Sequence, residues 1–135
     1  MQGGDLSNET PSRVYIVFEG TVAQPRPGLK TGFLKKVVGA SLRDYDVDPE
    51  MTLHLWDIWQ RLGVRFDAVT FTFDADDVQE WIDRTNLPIH TTWNFHSREA
   101  LASQLAFMPW VSHVVDHTRP LAYGGRASTL AGLRR

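Results

Sequence analysis

Two acidic side chains stand directly after strongly apolar stretches of the chain. Glu19 follows residues 14–18 and Asp116 follows residues 111–115. A carboxylate at such a position can accept a proton, attack an electrophile or ligate a hard cation such as Mg²⁺. Chemistry of this kind needs the groups to lie close together, so it depends on the elements that position them.

The apolar stretches alternate with segments of helical periodicity. Strands are predicted at residues 14–18, 66–73, 88–93 and 111–116. Helices are predicted at 49–62, from Asp74 onward, from Ser97 onward and at 127–134, and residues 34–42 fit either a short helix or a strand. This alternation predicts an α/β fold of three layers with an open, mainly parallel sheet. Ligands of such sheets bind outside the carboxyl ends of the strands.

The first strand and the turn after it resemble the first motif of the haloacid-dehalogenase-like hydrolases. The motif of that family is an apolar strand followed by Asp-x-Asp-Gly-Thr and an apolar residue, and the two aspartates are the nucleophile and the general acid/base. Here the segment reads Val17-Phe18-Glu19-Gly20-Thr21. The resemblance implies a phosphate-binding turn at Gly20 and Thr21, but valine stands at the nucleophile position and glutamate at the acid/base position.

The second motif of the family is a strand that ends in serine or threonine, whose hydroxyl binds the phosphoryl oxygen. Thr91 and Thr92, followed by Trp93, resemble that motif and are similar to a Thr-Thr-Trp stretch in some actinobacterial and phage-like members. The resemblance implies that Thr91 or Thr92 binds phosphate. Because successive strand residues face opposite sides, only one of the two hydroxyls can share a face with a given neighbour.

The carboxyl-terminal motifs can be aligned in two registers, and both stay open. In the first, Asp116 resembles the fourth motif, which supplies aspartate for magnesium, and His117 replaces a second aspartate. In the second, the strand before Asp116 precedes the basic motif and Arg126 is the charge-balancing residue. The first register makes Glu19 and Asp116 the catalytic and metal-ligating carboxylates, with Mg²⁺ as the implied cofactor.

A second acidic segment follows the strand predicted at residues 66–73. Asp74, Asp76 and Asp77 could hold a divalent cation, because hard cations prefer oxygen ligands. The same residues make a favourable helix N-terminus, with one aspartate as the cap and the others near the positive end of the helix dipole. Asp74 and Asp76 are therefore the alternative metal ligands, although helix capping is the preferred interpretation.

Composition limits the class of protein. The chain has 135 residues, a net charge of −2, five histidines in no recognised zinc spacing and no cysteine. No apolar run reaches the roughly 18 residues that a membrane span needs. We expect a tail at residues 1–12 and a single domain at 13–135 with a minimal cap module or none. A cytoplasmic location is expected, and the acidic balance argues against nucleic acid as a partner.

These observations favour a haloacid-dehalogenase-like domain that has lost its nucleophile. The expected function is that of a pseudo-phosphatase, a catalytically impaired binding or regulatory module whose partner is a protein or a phosphorylated small molecule. The alternative is an active Mg²⁺-dependent phosphohydrolase or nucleotidase with an atypical carboxylate site. The five tryptophans are expected to pack in the core, whereas an exposed one would indicate a partner surface.

Overall fold

The structure is a computed structural model, and it describes residues 12–25 and 41–133. Most of the predicted tail at residues 1–12 and of the ambiguous segment at 34–42 lies outside the described residues. The strands in chain order are β1 (Arg13–Val17), β2 (Gln24–Pro25), β3 (Tyr45–Asp46), β4 (Arg65–Thr70), β5 (Ile89–Asn94), β6 (Val111–Val115) and β7 (Ala127–Ser128). The α-helices are α1 (Pro49–Leu62), α2 (Ala75–Thr85), α3 (Arg98–Gln104) and α4 (Leu130–Leu133).

Five of the strands form one parallel sheet with β1 at its centre. The order is β5-β4-β1-β6-β7, and β2 and β3 form a separate antiparallel pair. This confirms the prediction of an α/β fold with an open parallel sheet. Because β1 pairs in parallel with both β4 and β6, the carboxyl ends of these three strands adjoin one another.

Local sequence signals set the helix boundaries. Asp48 caps α1 by accepting a hydrogen bond from the backbone N–H of Glu50, and Pro49 occupies the first helical position. Gly63 ends α1 in the left-handed region at φ 65°. Ser97 caps α3 by accepting from the backbone N–H of Ala100. The predicted starts of these helices, and the end of α1, are confirmed.

Helices cover both faces of the sheet, which gives the three predicted layers. One face packs against α1, α2 and α4, in a core cluster that includes Phe18, Leu55 and Ile82. The other face packs against α3 and the turn after it, in a smaller cluster that includes Tyr15 and Leu101. Within the described residues, no helix is long and apolar enough to cross a membrane.

The carboxyl-terminal segment differs from its prediction as one helix over 127–134. Ala127 pairs with Val114 and extends the sheet as β7, so the helix α4 begins only at Leu130. Thr129 explains the boundary, since its Oγ1 accepts a hydrogen bond from the backbone N–H of Gly132 at 2.9 Å. A β-strand and a very short helix therefore replace the single helix.

The N-cap of α2 gives a test of the capping interpretation. The Asp74 carboxylate accepts from the backbone N–H groups of Asp76 and Asp77 at 3.0 and 3.3 Å. We expect Asp74→Ala to lower the free energy of unfolding by about 1 kcal/mol and Asp74→Asn to change it little, because asparagine caps equally well. Urea denaturation measures both variants. Equal losses in the two would contradict a capping role.

Candidate functional site

The Glu19 carboxylate ties the turn after β1 to the loop after β4. Its Oε2 accepts hydrogen bonds from the Thr70 hydroxyl at 2.6 Å and from the backbone N–H groups of Phe71 and Thr72 at 3.1 and 2.8 Å. The Thr70 Oγ1 in turn accepts from the backbone N–H of Phe73 at 3.1 Å. Three donors on one oxygen hold the carboxylate in place, so Glu19 joins the ends of two neighbouring strands.

The Asp116 carboxylate is buried at the end of β6 and is fully hydrogen-bonded. Its Oδ2 accepts from Arg98 Nε at 2.7 Å and from the Tyr123 hydroxyl at 2.6 Å. Its Oδ1 accepts from the backbone N–H groups of Thr118 and Arg119 at 3.0 and 3.2 Å. The side chain is 1 % exposed. Asp116 therefore joins β6, the start of α3 and the loop that leads to β7.

The electrostatics of this cluster favour the ionised carboxylate. Burial acts to raise the pKa of Asp116, but hydrogen bonds from Arg98, Tyr123 and the Arg119 N–H outweigh burial and lower it. Burial acts to lower the pKa of Arg98, yet its pairing with Asp116 raises it, and the charge of Glu19 adds to the rise. Burial and donation to Asp116 raise the pKa of Tyr123. One guanidinium thus lies within electrostatic range of both carboxylates.

The turn after β1 packs closely against the loop after β6. Gly20 has φ +86°, and a Cβ atom at this position would lie 2.7 Å from Thr118 Oγ1. The Thr21 hydroxyl oxygen accepts a hydrogen bond from the backbone N–H of His117 at 2.9 Å. Glycine is needed at position 20 for both the backbone angle and the space. In this structure, Thr21 uses its hydroxyl to hold the neighbouring loop.

A small cleft of about 140 Å³ opens beside the Asp116 cluster. It is lined by Phe71, Ser97, Arg98, Glu99 and Arg119. The Arg98 guanidinium carbon lies 5.0 Å from the centre of the Phe71 ring, which supports the planar group from one side. The Arg98 side chain is 23 % exposed. The cleft therefore presents the oriented guanidinium of Arg98, and Arg119 and Glu99 are among its other lining residues.

The other residues implied by the resemblance lie away from this cluster. Thr91 and Thr92 are on β5, which is separated from β1 by β4. The Thr92 hydroxyl donates to Gln79 at 2.7 Å, and that of Thr91 accepts from Arg65 at 3.4 Å. The Arg126 guanidinium donates to the backbone carbonyls of Leu105 and Met108. Glu19, Gly20, Thr21 and Asp116 are thus brought together, and Thr91, Thr92 and Arg126 are not among them.

The carboxylates proposed as metal ligands already take part in hydrogen bonds within the protein. Within residues 12–25 and 41–133, no three histidine, cysteine, aspartate or glutamate side chains are grouped so that they could hold a metal ion. Asp116 could ligate Mg²⁺ only by giving up hydrogen bonds described above, whereas Glu19 has one oxygen, Oε1, with only a shared contact from the Phe71 N–H at 3.4 Å. The alternative ligand Asp74 is engaged in capping α2, and Asp76 supplies one of the N–H groups that Asp74 caps.

Three residues of the cluster were not predicted. Thr70 ends the strand next to β1, and it fits the description of a strand ending in threonine as well as Thr92 does. Arg98 stands at the first position of a predicted helix, and Tyr123 lies in a loop. Their partners Glu19 and Asp116 are 51, 18 and 7 residues away in sequence, so the tertiary fold brings Thr70 and Arg98 to them and the path of one loop brings Tyr123.

The tryptophans divide between core and surface. Trp81 is buried, as expected, whereas Trp59, Trp93 and Trp110 are 44, 39 and 46 % exposed. Trp56 stacks edge-on against Trp59 and donates its indole N–H to the Asn86 carbonyl at 3.0 Å. The expectation of core packing is therefore wrong for the three exposed rings.

No family model matches the chain, and no curated protein or solved structure matches it either. The resemblance to the haloacid-dehalogenase-like hydrolases therefore stays a prediction from the short sequence motifs. The parallel sheet is consistent with that relationship, as it is with other open α/β folds.

The lowered pKa of Asp116 predicts how stability depends on pH. Because this pKa is lower in the folded protein than in the unfolded chain, where it is about 3.9, the contribution is complete above about pH 5 and declines as the pH falls toward the folded value. We expect Asp116→Asn to cost about 3 kcal/mol at pH 7 and less below pH 4. Urea denaturation between pH 2 and 7 measures the difference. The control Glu80→Gln, in the exposed pair with Arg84, should cost under about 0.5 kcal/mol throughout.

The close approach at Gly20 predicts a coupling with Thr118. We expect Gly20→Ala to destabilise the protein by about 2 kcal/mol, through its positive φ and the contact with Thr118 Oγ1. In a Thr118→Ala background the cost should fall to about 1 kcal/mol, which is the backbone contribution. Gly124→Ala is the matched control, because Gly124 has φ +57° with no atom near the added Cβ. An unchanged cost at Gly20 in the Thr118→Ala background would argue against the contact.

Proposed function

We propose that this protein is a non-catalytic binding module related to the haloacid-dehalogenase-like hydrolases, and that it binds an anionic group at the cleft between Arg98 and Arg119. The observation that carries the proposal is the state of Glu19 and Asp116. Both carboxylates are held by internal hydrogen bonds and join neighbouring loops. Asp116, with both oxygens engaged, cannot attack phosphorus or move a proton without loosening the fold, and the hydrogen bonds to Oε2 of Glu19 hold that carboxylate in one orientation.

The residue at the nucleophile position supports the same proposal. Val17 is the last residue of β1, is fully buried, and pairs with Val69 of β4. Its side chain offers no lone pair to an electrophile or a cation. Loss of a covalent nucleophile removes the step that lets such enzymes divide hydrolysis into two displacements. The positioning that the turn retains cannot replace that step.

The ligand class follows from the two arginines of the cleft, which outnumber Glu99, the one carboxylate among its described lining residues. Asp116 uses the Nε of Arg98, and Phe71 supports the plane of the guanidinium, so the side chain is ordered before a ligand arrives. Arg119 lies two residues after His117 and lines the same cleft. Guanidinium groups bind phosphate and carboxylate oxygens in paired hydrogen bonds. At about 140 Å³ the cleft has room for a phosphate or carboxylate group, and the rest of a phosphorylated or carboxylated ligand would lie outside it.

The proposal predicts binding without turnover. Inorganic phosphate at ten times its Kd should raise the Tm by about 4 °C, because a ligand that binds only the folded state stabilises it. Arg119→Gln should reduce this shift, and Arg84→Gln, which removes an exposed arginine on α2, should leave it unchanged. Differential scanning fluorimetry measures each variant. An equal shift in all three proteins would argue against the cleft.

A parallel assay distinguishes the module from an enzyme. Magnesium-dependent hydrolysis of p-nitrophenyl phosphate and of a nucleotide panel is measured beside Glu19→Gln and Asp116→Asn variants that are shown to be folded. We expect no turnover above these controls. Turnover that Glu19→Gln abolishes without unfolding the protein would instead establish an active phosphohydrolase with an atypical carboxylate.

A further inference from the structure

A larger cavity lies on the other side of the loop that follows β6. Its volume is about 390 Å³, and it opens between the turn after β1, the start of α1 and the start of α4. Pockets for small molecules usually have volumes of about 300–1,000 Å³, so this cavity has room for a compact ligand. Its lining shares no residue with the cleft of Arg98 and Arg119. The cavity is therefore a separate candidate site.

The walls of the cavity combine an apolar surface with polar acceptor groups. Val22, Met51 and Leu130 supply the apolar part, and Val22 and Leu130 are 1 and 6 % exposed. His54 and His117 face the same space, and each imidazole ring has a nitrogen that can accept a hydrogen bond. A ligand that fits should therefore have an apolar body and a group that donates several hydrogen bonds.

The charge of the lining has one sign. Asp48 and Glu50 are exposed at the cavity, and among the described residues that line it there is no lysine or arginine. The dipole of α1 places about half a positive charge at this end of the helix. Two carboxylates exceed that charge, so the described part of the lining has a net negative charge and favours a cation.

We propose that this cavity binds a small primary amine, with the apolar body of the ligand against Val22, Met51 and Leu130 and its ammonium group toward Asp48 and Glu50. An ammonium group carries three donors and no acceptor, which matches carboxylate and imidazole acceptors. This proposal does not rest on the proposed function, because the two sites have different linings and opposite charge preferences.

Matched probes test the charge preference on the unmodified protein. Phenethylamine, 2-phenylethanol and phenylacetate have similar size and differ in charge, and isothermal titration calorimetry compares their affinities. We expect 2-phenylethanol to bind about tenfold more weakly than phenethylamine and phenylacetate more weakly still. Equal binding of the amine and the alcohol, or no binding of the amine up to about 10 mM, would overturn the proposal.

Isosteric variants test the two carboxylates. Asp48→Asn combined with Glu50→Gln removes both charges and keeps the helix cap, because asparagine caps as well as aspartate. We expect phenethylamine to bind this variant about five- to tenfold more weakly, with no change for 2-phenylethanol. The control Glu80→Gln with Asp83→Asn on α2 removes the same total charge and should leave both affinities unchanged. An equal loss in the two double variants would show a long-range charge effect and contradict the site.

Nuclear magnetic resonance locates the bound probe. Addition of phenethylamine should shift the backbone amide signals of Thr21, Val22, Met51 and His117. Shifts confined to Trp56, Trp59 and His90, which line a different groove of about 250 Å³, would place the amine elsewhere and overturn the proposal. The measurement uses the unmodified chain, so a variant that fails to fold does not affect it.

Discussion

The buried carboxylate of Asp116 is the interaction on which the carboxyl edge of the sheet depends. A charge in this position is costly unless it is paired, and here a guanidinium, a phenol and two backbone N–H groups share it. These donors come from the start of α3, the loop after β6 and the segment before β7. One charged group therefore specifies how three segments meet, through directional contacts that apolar packing alone would not supply.

Glu19 likewise fixes how two segments meet, on the other side of the central strand β1. It bridges β1 to the loop after β4, and Thr70 extends the bridge to Phe73. Both edge carboxylates have become structural groups, and this has a chemical consequence. A general base or metal ligand must be able to exchange partners during a reaction, whereas these groups are stabilised by keeping theirs.

The sequence predicted the parts of the fold that depend on short-range signals. Asp48, Asp74 and Ser97 lie next to the helices that they cap, so their roles can be predicted from neighbouring residues. The apolar runs before Glu19 and Asp116 likewise identified the buried strands and the parallel sheet. The helix predicted at 127–134 begins later because Ala127 pairs with Val114, and a strand of two residues is too short to show an alternating pattern in the sequence.

Which residues come together at the site depends on the order of the strands in the sheet. That order cannot be predicted from the pattern of residues within one strand. Thr70 and Thr92 both occur on short apolar strands, and either could supply the hydroxyl of the second motif. Only the order β5-β4-β1 places Thr70 beside Glu19 and Thr92 one strand farther away, against Gln79. For the basic motif the sequence suggested Arg126 and gave no signal for Arg98. The structure places Arg98 against Asp116 and Arg126 against the carbonyls of the turn after α3.

The loop after β6 separates the two candidate binding sites and limits how they can influence each other. His117 lines the larger cavity and Arg119 lines the cleft, while the backbone N–H groups of Thr118 and Arg119 are fixed to Asp116. The N–H of His117 is fixed to Thr21. Energetic coupling between sites requires an element with two arrangements that each ligand favours differently. Hydrogen bonds at three successive N–H groups favour one arrangement of this loop, so we expect occupants of the two sites to bind independently while the Asp116 contacts stay intact.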